Sequence, residues 1–329
     1  MTKYAILGGG GSFGLHTAKY LTQQSGVGEV LGIGRNPLRL GAFSIGMEKV
    51  SNFRYRPFHI THELDLLMEY LDKEQPEVIV NFAAQGEGAV SWKHSWRFFE
   101  TNSMALARLV EELEKRDYLR QFIQIGTSEM YGSVEAPASE TAPIQPSSPY
   151  AASKVAFDMF LESFAKFKGF RMNIIRPSNA YCSGQLLHRI IPKVFWAHFN
   201  DIKFQLHGGG KAEKSYIHAT DLARAIHIVS LGDKYGEIYN VAPEKPTAIR
   251  DVVRMTAECM GLALEDVCEV GPDRLGQDAR YWLASSKIRE AFGWKPLISW
   301  NDGLTEVRDW AFAYQDEIKN TSSDYVLRS

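Results

Sequence analysis

The feature that most constrains this 329-residue chain lies at its start. In YAILGGGGSFGLHTAKYL, residues 4–21, an apolar run of strand length ends in glycines, and a stretch of helical period follows at once. Gly8, Gly11 and Gly14 stand three apart. Glycine lets the chain turn tightly and lets backbone N–H groups approach a pyrophosphate, while the next helix aims its N-terminus at the negative charge. A glycine-rich turn alone says little. Set between a strand and a helix, at the head of an alternating chain, it predicts a dinucleotide site.

The alternation continues. Short apolar runs at 4–7, 29–33, 53–58, 78–82, 122–125 and 172–176 read as strands. Between them, Leu64, Leu67, Met68 and Leu71 share one helical face, as do Leu106, Leu109, Val110 and Leu113. Near-continuous apolar strands separated by amphipathic helices predict an α/β, Rossmann-type doubly wound parallel sheet. A sharp helix start is expected at Ser147 or Ser148 with Pro149 in the first helical position, the helix running to about Phe167. After residue 176 the pattern turns irregular. The expected division is a dinucleotide-binding domain over 1–176, rejoined by 236–262, and a smaller substrate-binding unit from 177–235 and 263–329. Within 236–262, EIYNVA (237–242) reads as a strand, and a helix follows it, capped by Thr247 and stopped by Gly261. The end, KNTSSDYVLRS, reads as a loose tail.

Composition narrows the classes of partner. A net charge of -2 offers no general attraction to nucleic acid or anionic lipid, although local basic groups can hold a phosphate-bearing small molecule. Cys182, Cys259 and Cys268 form no CxxC pair and no even framework, as expected of reduced thiols. No apolar run approaches the ~20 residues of a membrane helix, and MTKYAILGGG does not read as a signal peptide. The expected setting is soluble and cytoplasmic, and no metal site is expected.

Two places carry candidate chemistry. The second strand ends LGIGRNP, where a carboxylate commonly meets a free ribose 2′-hydroxyl. Gly34 and Arg35 stand there instead, and an arginine forks readily onto a 2′-phosphate. NADP is favoured, with NAD as the alternative. Further on, SPYAASK puts Tyr150 and Lys154 four apart on one helix face, just beyond the strand-end turn GTSEMYG. An ammonium near a phenol lowers its pKa, so Tyr150 is a candidate base, with Thr127 placed to bond the same hydroxyl. Glu129 in that turn is either a solvated or capping charge or a second base.

These residues carry a likeness. The glycine loop, NFAAQ (81–85), Thr127 and Tyr150-x-x-x-Lys154 resemble the extended short-chain dehydrogenase/reductase family over nearly the full length. TSEMYG, SPYAASK, RPSNAY (176–181), RIIPKVF (189–195), YIHATDLARAI (216–226) and DRLGQDARY (273–281) resemble its nucleotide-diphosphate-sugar 4,6-dehydratases. The last segment is most similar to the dTDP-glucose branch, GIGRN and TSE to the NADP-using GDP-mannose branch.

The resemblance implies roles. Gly8, Gly11, Ser12, Phe13, Gly14, Arg35, His59, Ile60, Ala83, Ala84 and Pro177, with Tyr150 and Lys154, would hold the cofactor. Thr127, Ser128, Glu129, Tyr150 and Lys154 would form the catalytic set. The sugar is oxidised at C4 with help from the tyrosine, the glutamate removes the C5 proton as water leaves C6, and hydride returns to C6. Gln85, Glu87, Asn179, Arg189, Lys214 and Arg274 would hold the nucleotide-sugar substrate, and a homodimer through helices near 101–116 and 149–168 is the family expectation. There are departures too. Ser128 stands where the dTDP-glucose enzymes carry an aspartic acid, Gly86 and Glu87 replace the usual Ser-His, Lys214 replaces an arginine and Ser215 an aspartate. A 4-epimerase or a UDP-glucuronate decarboxylase-like enzyme shares Tyr150 and Lys154 but needs no C6 elimination. A non-catalytic NADP-binding regulator needs the glycine loop but no proton-transfer pair.

Overall fold

In the computed structural model, residues 1–272 and 278–327 are described. Six strands alternate with helices through the first half: β1 (Thr2–Leu7), β2 (Val27–Gly34), β3 (Phe53–Pro57), β4 (Val78–Asn81), β5 (Gln121–Ile125) and β6 (Met172–Pro177). With the strand Glu237–Val241 they form one seven-stranded sheet, ordered Glu237–Val241, β6, β5, β4, β1, β2, β3. Each neighbouring pair runs parallel. Alternation along each strand feeds the two faces of the sheet's core. Tyr4 and Ile6 of β1, Val78 and Val80 of β4 and Ile123 of β5 point to one face, and Ala5, Leu7, Ile79 and Phe122 to the other. Every one is buried, as a sheet covered on both sides requires.

The predicted helical faces are the buried ones. Leu64, Leu67, Met68 and Leu71 of α2 (Leu64–Glu74), and Leu106, Leu109, Val110 and Leu113 of α5 (Leu106–Leu113), pack onto one side of the sheet. On the other side lies α1 (Ser12–Leu21). The helix Ala219–Leu231, from the stretch expected in the smaller unit, lies beside it through Leu222, Ile226 and Val229. α6 (Pro149–Lys168) begins as read: Ser148, not Ser147, accepts the N–H of Ala151, and Pro149 takes the first turn.

The second core gathers distant pieces. The helices Ile190–Phe199, Ile249–Glu258 and Trp300–Ala313 supply most of it, and Ala42 and Phe43 reach it from the loop after β2. Trp310 Nε1 donates to the Ala42 carbonyl at 2.7 Å. Two expectations are corrected here. Thr247 does not cap the helix that follows; it pairs with Lys214 in a short antiparallel ladder, and Ala248 is the residue before the helix. The C-terminal residues 321–327 are not loose either. Trp196 Nε1 holds the Thr321 carbonyl at 2.9 Å, Ser323 is buried, and Tyr325 lies against the crevice described next. Among the described residues, no helix is long and apolar enough to cross a membrane.

Candidate active site

The order of strands reverses between β1 and β4, and a parallel sheet opens a crevice at such a point, outside the carboxyl ends of its strands. A cleft of about 280 Å³ lies there. Its walls are the turns after four strands: Gly8, Gly11 and Ser12 after β1, Arg35 after β2, His59 and Ile60 after β3, and Ala83, Ala84 and Gln85 after β4. Phe13 and Gly14 sit in the first turn of α1 and Pro177 ends β6; these three do not line it.

The glycine loop fits a pyrophosphate. Gly8 adopts φ 77, and a Cβ there would meet Ala83 N at 2.8 Å. A Cβ on Gly14 would meet the Gly8 carbonyl oxygen at 2.5 Å, so the helix can approach the strand only with glycine at that position. The missing carboxylate at the end of β2 has a packing reason. The Tyr55 hydroxyl, donating to the Asn36 carbonyl at 2.7 Å, stands 2.5 Å from where a Cβ on Gly34 would be. Arg35 and Arg39 follow on the wall of the same cleft. The His59 backbone N–H is taken by Glu63 at 2.6 Å, and its ring stacks on His62.

The candidate catalytic groups come from β5 and α6. Thr127 ends the β5 turn, and its Oγ1 accepts the Glu129 N–H at 3.2 Å, so Thr127 and not Glu129 caps this turn. Thr127 also hydrogen-bonds the Tyr150 phenol. Ser128 is buried beside it. Glu129 is pushed up in pKa, chiefly by burial; the charges of Lys214 and Arg189 oppose this, while Glu87 and Asp278 add to it. Glu129 Oε2 would lie 3.3 Å from a Cβ on Gly88, which packs the β4 loop against the carboxylate.

One electrostatic expectation is corrected. The Tyr150 phenol is raised, not lowered: burial dominates, and the Glu129 charge adds to it. Lys154 is buried and donates from Nζ to the Ile125 carbonyl at 2.7 Å, and desolvation pulls its pKa down to about 8. One turn further, Asp158 is buried too and pairs with Arg176 at 3.4 Å.

The expected substrate groups converge in part. Arg189 Nη1 lies 3.7 Å from Glu87 Oε2, and Lys214 Nζ sits 4.8 Å over the Tyr281 ring. Asn179 opens a short strand and bonds Tyr216. Arg274 lies outside the described residues. Sequence reading missed Asn102, Asp278 and Tyr281. Asn102 sits in a π-helical stretch, Glu100–Ala105, where its amide accepts the Gln85 N–H at 2.7 Å and donates to the Gln85 carbonyl at 3.0 Å. It also donates to Ser153 at 3.0 Å, tying the β4 loop to α6. Asp278 accepts from Tyr281 at 2.5 Å and from Ser147. Asp278 and Tyr281 fall within the DRLGQDARY segment, but nothing local marks them or Asn102 as site groups; only the fold brings them near.

The arrangement puts a carboxylate and a phenol close together beyond the end of β5, with Lys214 and Arg189 near enough for their charges to act on the carboxylate. The chain is similar to several known proteins. It is 31% identical to the dTDP-glucose 4,6-dehydratase of Streptomyces niveus over 235 residues, 71% of this chain and 69% of that one. It is 29% identical to the human dTDP-D-glucose 4,6-dehydratase over 266 residues, 79% of this chain and 74% of that one. It also matches an Arabidopsis thaliana trifunctional protein, UDP-glucose 4,6-dehydratase with 3,5-epimerase and reductase activities, at 28% identity over 79% of this chain. The chain spans about two fifths of that protein's length (39%). Among solved structures, the dTDP-glucose 4,6-dehydratase of Streptomyces venezuelae with NAD bound superposes with a TM-score of 0.87 at 25% identity, covering 96% of this chain and 98% of that one. The UDP-glucuronic acid 4-epimerase of Bacillus cereus, at 21% identity, shares the fold with a TM-score of 0.84, covering 95% and 99%. A profile of the NAD dependent epimerase/dehydratase family matches residues 4–242, which hold the glycine loop, Glu129, Tyr150 and Lys154. The chain belongs to that family.

Proposed function

We propose that this protein is a nucleotide-diphosphate-hexose 4,6-dehydratase, yielding a 4-keto-6-deoxy sugar nucleotide. One observation carries the reading: Glu129 and Tyr150 lie close together, the carboxylate near enough for its charge to act on the phenol, with Gly88 of the β4 loop packed against Glu129. A 4-epimerase needs the tyrosine alone. Elimination across C5–C6 needs a second base that is not the group at C4. A nicotinamide cofactor, held by the glycine loop and the strand-end turns that wall the cleft, would supply the hydride acceptor for C4 and the hydride donor for C6. Thr127 and Tyr150 would hold the C4 hydroxyl, and Tyr150 would take its proton as the phenolate, its own proton having left to solvent with the Lys154 charge favouring that form; Glu129 would remove the C5 proton that the new ketone has acidified. Glu129, whose raised pKa suits it to hold the proton it gains, then returns it to the C6 hydroxyl as water leaves, with buried Ser128 beside it. Arg189 and Lys214, with Arg274, hold the diphosphate.

The cofactor in this reading is NADP. The solved relatives carry NAD. What favours the 2′-phosphate here is the Tyr55 hydroxyl filling the carboxylate's place, with Arg35 and Arg39 beyond it. The protein acts as a homodimer: Trp92, Trp96, Met104 and Met159 are exposed on or beside α4 (Ser95–Phe99), the π-helical stretch and α6, an apolar face that a second copy covers.

The test is mass spectrometry of the purified protein incubated with dTDP, UDP, GDP and CDP hexoses. Loss of one water from a single member establishes the dehydratase and names its substrate. Full conversion to an isomer without water loss replaces this reading with 4-epimerase. The nucleotide released on denaturation identifies NADP or NAD.

A further inference from the structure

The loop after β4 leads into an unusual place. Glu87 adopts φ 92 and ψ 92, a backbone conformation unfavourable for a non-glycine residue that persists where surroundings hold it. The strain aims its carboxylate across the crevice at two residues just before and at the cap of the helix Ile190–Phe199. Arg189 is one. His188 is the other, with Nε2 4.0 Å from Glu87 Oε2, too far for a hydrogen bond.

His188 is the informative residue. Its side chain is only 10% exposed, and Nε2 is buried without a hydrogen-bond partner among the described residues. A buried, unpartnered ring nitrogen is costly, and such atoms in native structures call for an explanation. Burial, with the neighbouring Arg189 charge, pulls its pKa down to about 4, so near neutrality the imidazole is uncharged and cannot satisfy itself as an ion pair with Glu87.

The C-terminal strap closes the far side. From Ser323 to Leu327 the residues alternate between facing the protein and facing solvent. Tyr325, one of the inward set, packs edge-on against the His188 ring with centroids 5.1 Å apart. Its hydroxyl lies 3.4 Å from Gln85 Oε1 and accepts the Gly86 N–H. The tail therefore fixes both the loop that carries Glu87 and the imidazole opposite.

We propose that Glu87, His188 and Tyr325 form a hydroxyl-recognition subsite for the hexose ring of the substrate. A hydroxyl oxygen set between Nε2 and Oε2, at about 2.8 Å from each, gives its proton to the Glu87 carboxylate and accepts from the His188 N–H. Tyr325 is a positioning residue: it forms the wall that holds both partners. The subsite stands beside the candidate chemistry, since Gly88, next to Glu87, lies against Glu129, and the Glu87 charge acts on both Glu129 and Tyr150. The identification of the ligand as a sugar rests on the dehydratase reading above.

The test is calorimetric. Affinities of dTDP, UDP, GDP and CDP, and of the corresponding hexoses, are measured for the wild-type protein and for Glu87→Gln, His188→Phe and Tyr325→Phe. The quantity read is the gain in affinity that the hexose adds to its own nucleoside diphosphate. Each variant's hexose gain is read against that variant's own nucleoside diphosphate affinity, since Glu87 also faces Arg189. A hydrogen bond to the charged Glu87 carboxylate contributes about 1.5–3 kcal/mol, so Glu87→Gln lowers the gain by roughly 10-fold or more, and His188→Phe, which removes a bond from an uncharged ring, lowers it by roughly 3-fold or more. Tyr325→Phe lowers it less. A substrate analogue deoxygenated at the engaged ring position loses the same factor in the wild type and nothing further in Glu87→Gln. The subsite is overturned if the wild-type protein shows no hexose gain with any pair, or if the gain survives in Glu87→Gln and His188→Phe. These readouts separate the two ideas. A gain lost in the variants, with no water eliminated in turnover, leaves the subsite standing and removes the dehydratase. Water loss with an undisturbed gain does the reverse.

Discussion

In the dehydratase we propose, Glu129 is the residue on which the chemistry turns, and its environment says how to test it. Burial raises its pKa, and Lys214 is the foremost charge opposing that rise. In Glu129→Gln, C4 oxidation should persist, seen as transient reduced cofactor, while exchange of the C5 proton with solvent and overall turnover fall by roughly 100-fold or more. Normal turnover in that variant would end the assignment. Lys214→Met separates the charge on Glu129 from any hold on the diphosphate. Removing the cation raises the Glu129 pKa further, so the acid limb of the kcat/KM profile moves to higher pH; a cation that serves the diphosphate alone raises KM and leaves the limb in place. Much of this site was legible at residue level, because Thr127, Glu129, Tyr150 and Lys154 are carried by one strand end and one helix start. The direction of the Tyr150 shift was not. It comes chiefly from burial of the phenol and then from Glu129 lying close by, and neither follows from a spacing of four.

At the scale of elements, the π-helical stretch Glu100–Ala105 accounts for how a loop is held beside a helix. An extra residue in the turn bulges the backbone and places Asn102 inward, where one amide serves both backbone groups of Gln85 as well as Ser153. Asn102→Ala leaves the Gln85 N–H and C=O buried and unpaired, each worth about 1–3 kcal/mol, so the variant should lose about 3 kcal/mol of stability. The check is a lower urea midpoint with an unchanged slope, since the exposed surface is the same. An unshifted midpoint would mean that the loop finds other partners. Periodicity gave the buried faces of α2 and α5, because an amphipathic face repeats locally. It could not give the bulge, which shows only as a break in that period, nor the Thr247–Lys214 ladder, whose partners lie 33 positions apart.

At the scale of the molecule, the sheet was readable and its second core was not. Strand and helix patterns are local, whereas the second core unites Phe43, Phe195, Val252 and Trp310 from four separate stretches. The seam where that core meets the sheet carries a buried polar chain. His16 of α1 bonds the Ser183 carbonyl at 3.0 Å, Ser183 Oγ donates to Glu306 at 2.6 Å, and Glu306 lies 3.3 Å from His218 Nε2. Burial pulls His16 down to about 4 against an ordinary value of 6.5. The unfolded chain therefore takes up a proton at His16 as pH falls through 6.5, while the folded protein resists until about 4. Stability contributed by keeping this ring neutral is complete above 6.5 and is lost as pH falls between those two values. The amount at stake is about 3 kcal/mol, from a shift of roughly two and a half units. Glu306, held near 2 by its hydrogen bonds to His218 and Ser183 despite its burial, adds its own loss only below the ordinary carboxylate range of 4.5. Urea unfolding followed from about pH 7 to pH 5 should thus show a falling midpoint that His16→Gln flattens, since the glutamine has no proton to take up in either state. If the variant unfolds with the same pH slope as the parent, the seam is held by packing alone, and the acid sensitivity must come from another histidine, with His188 the next to replace.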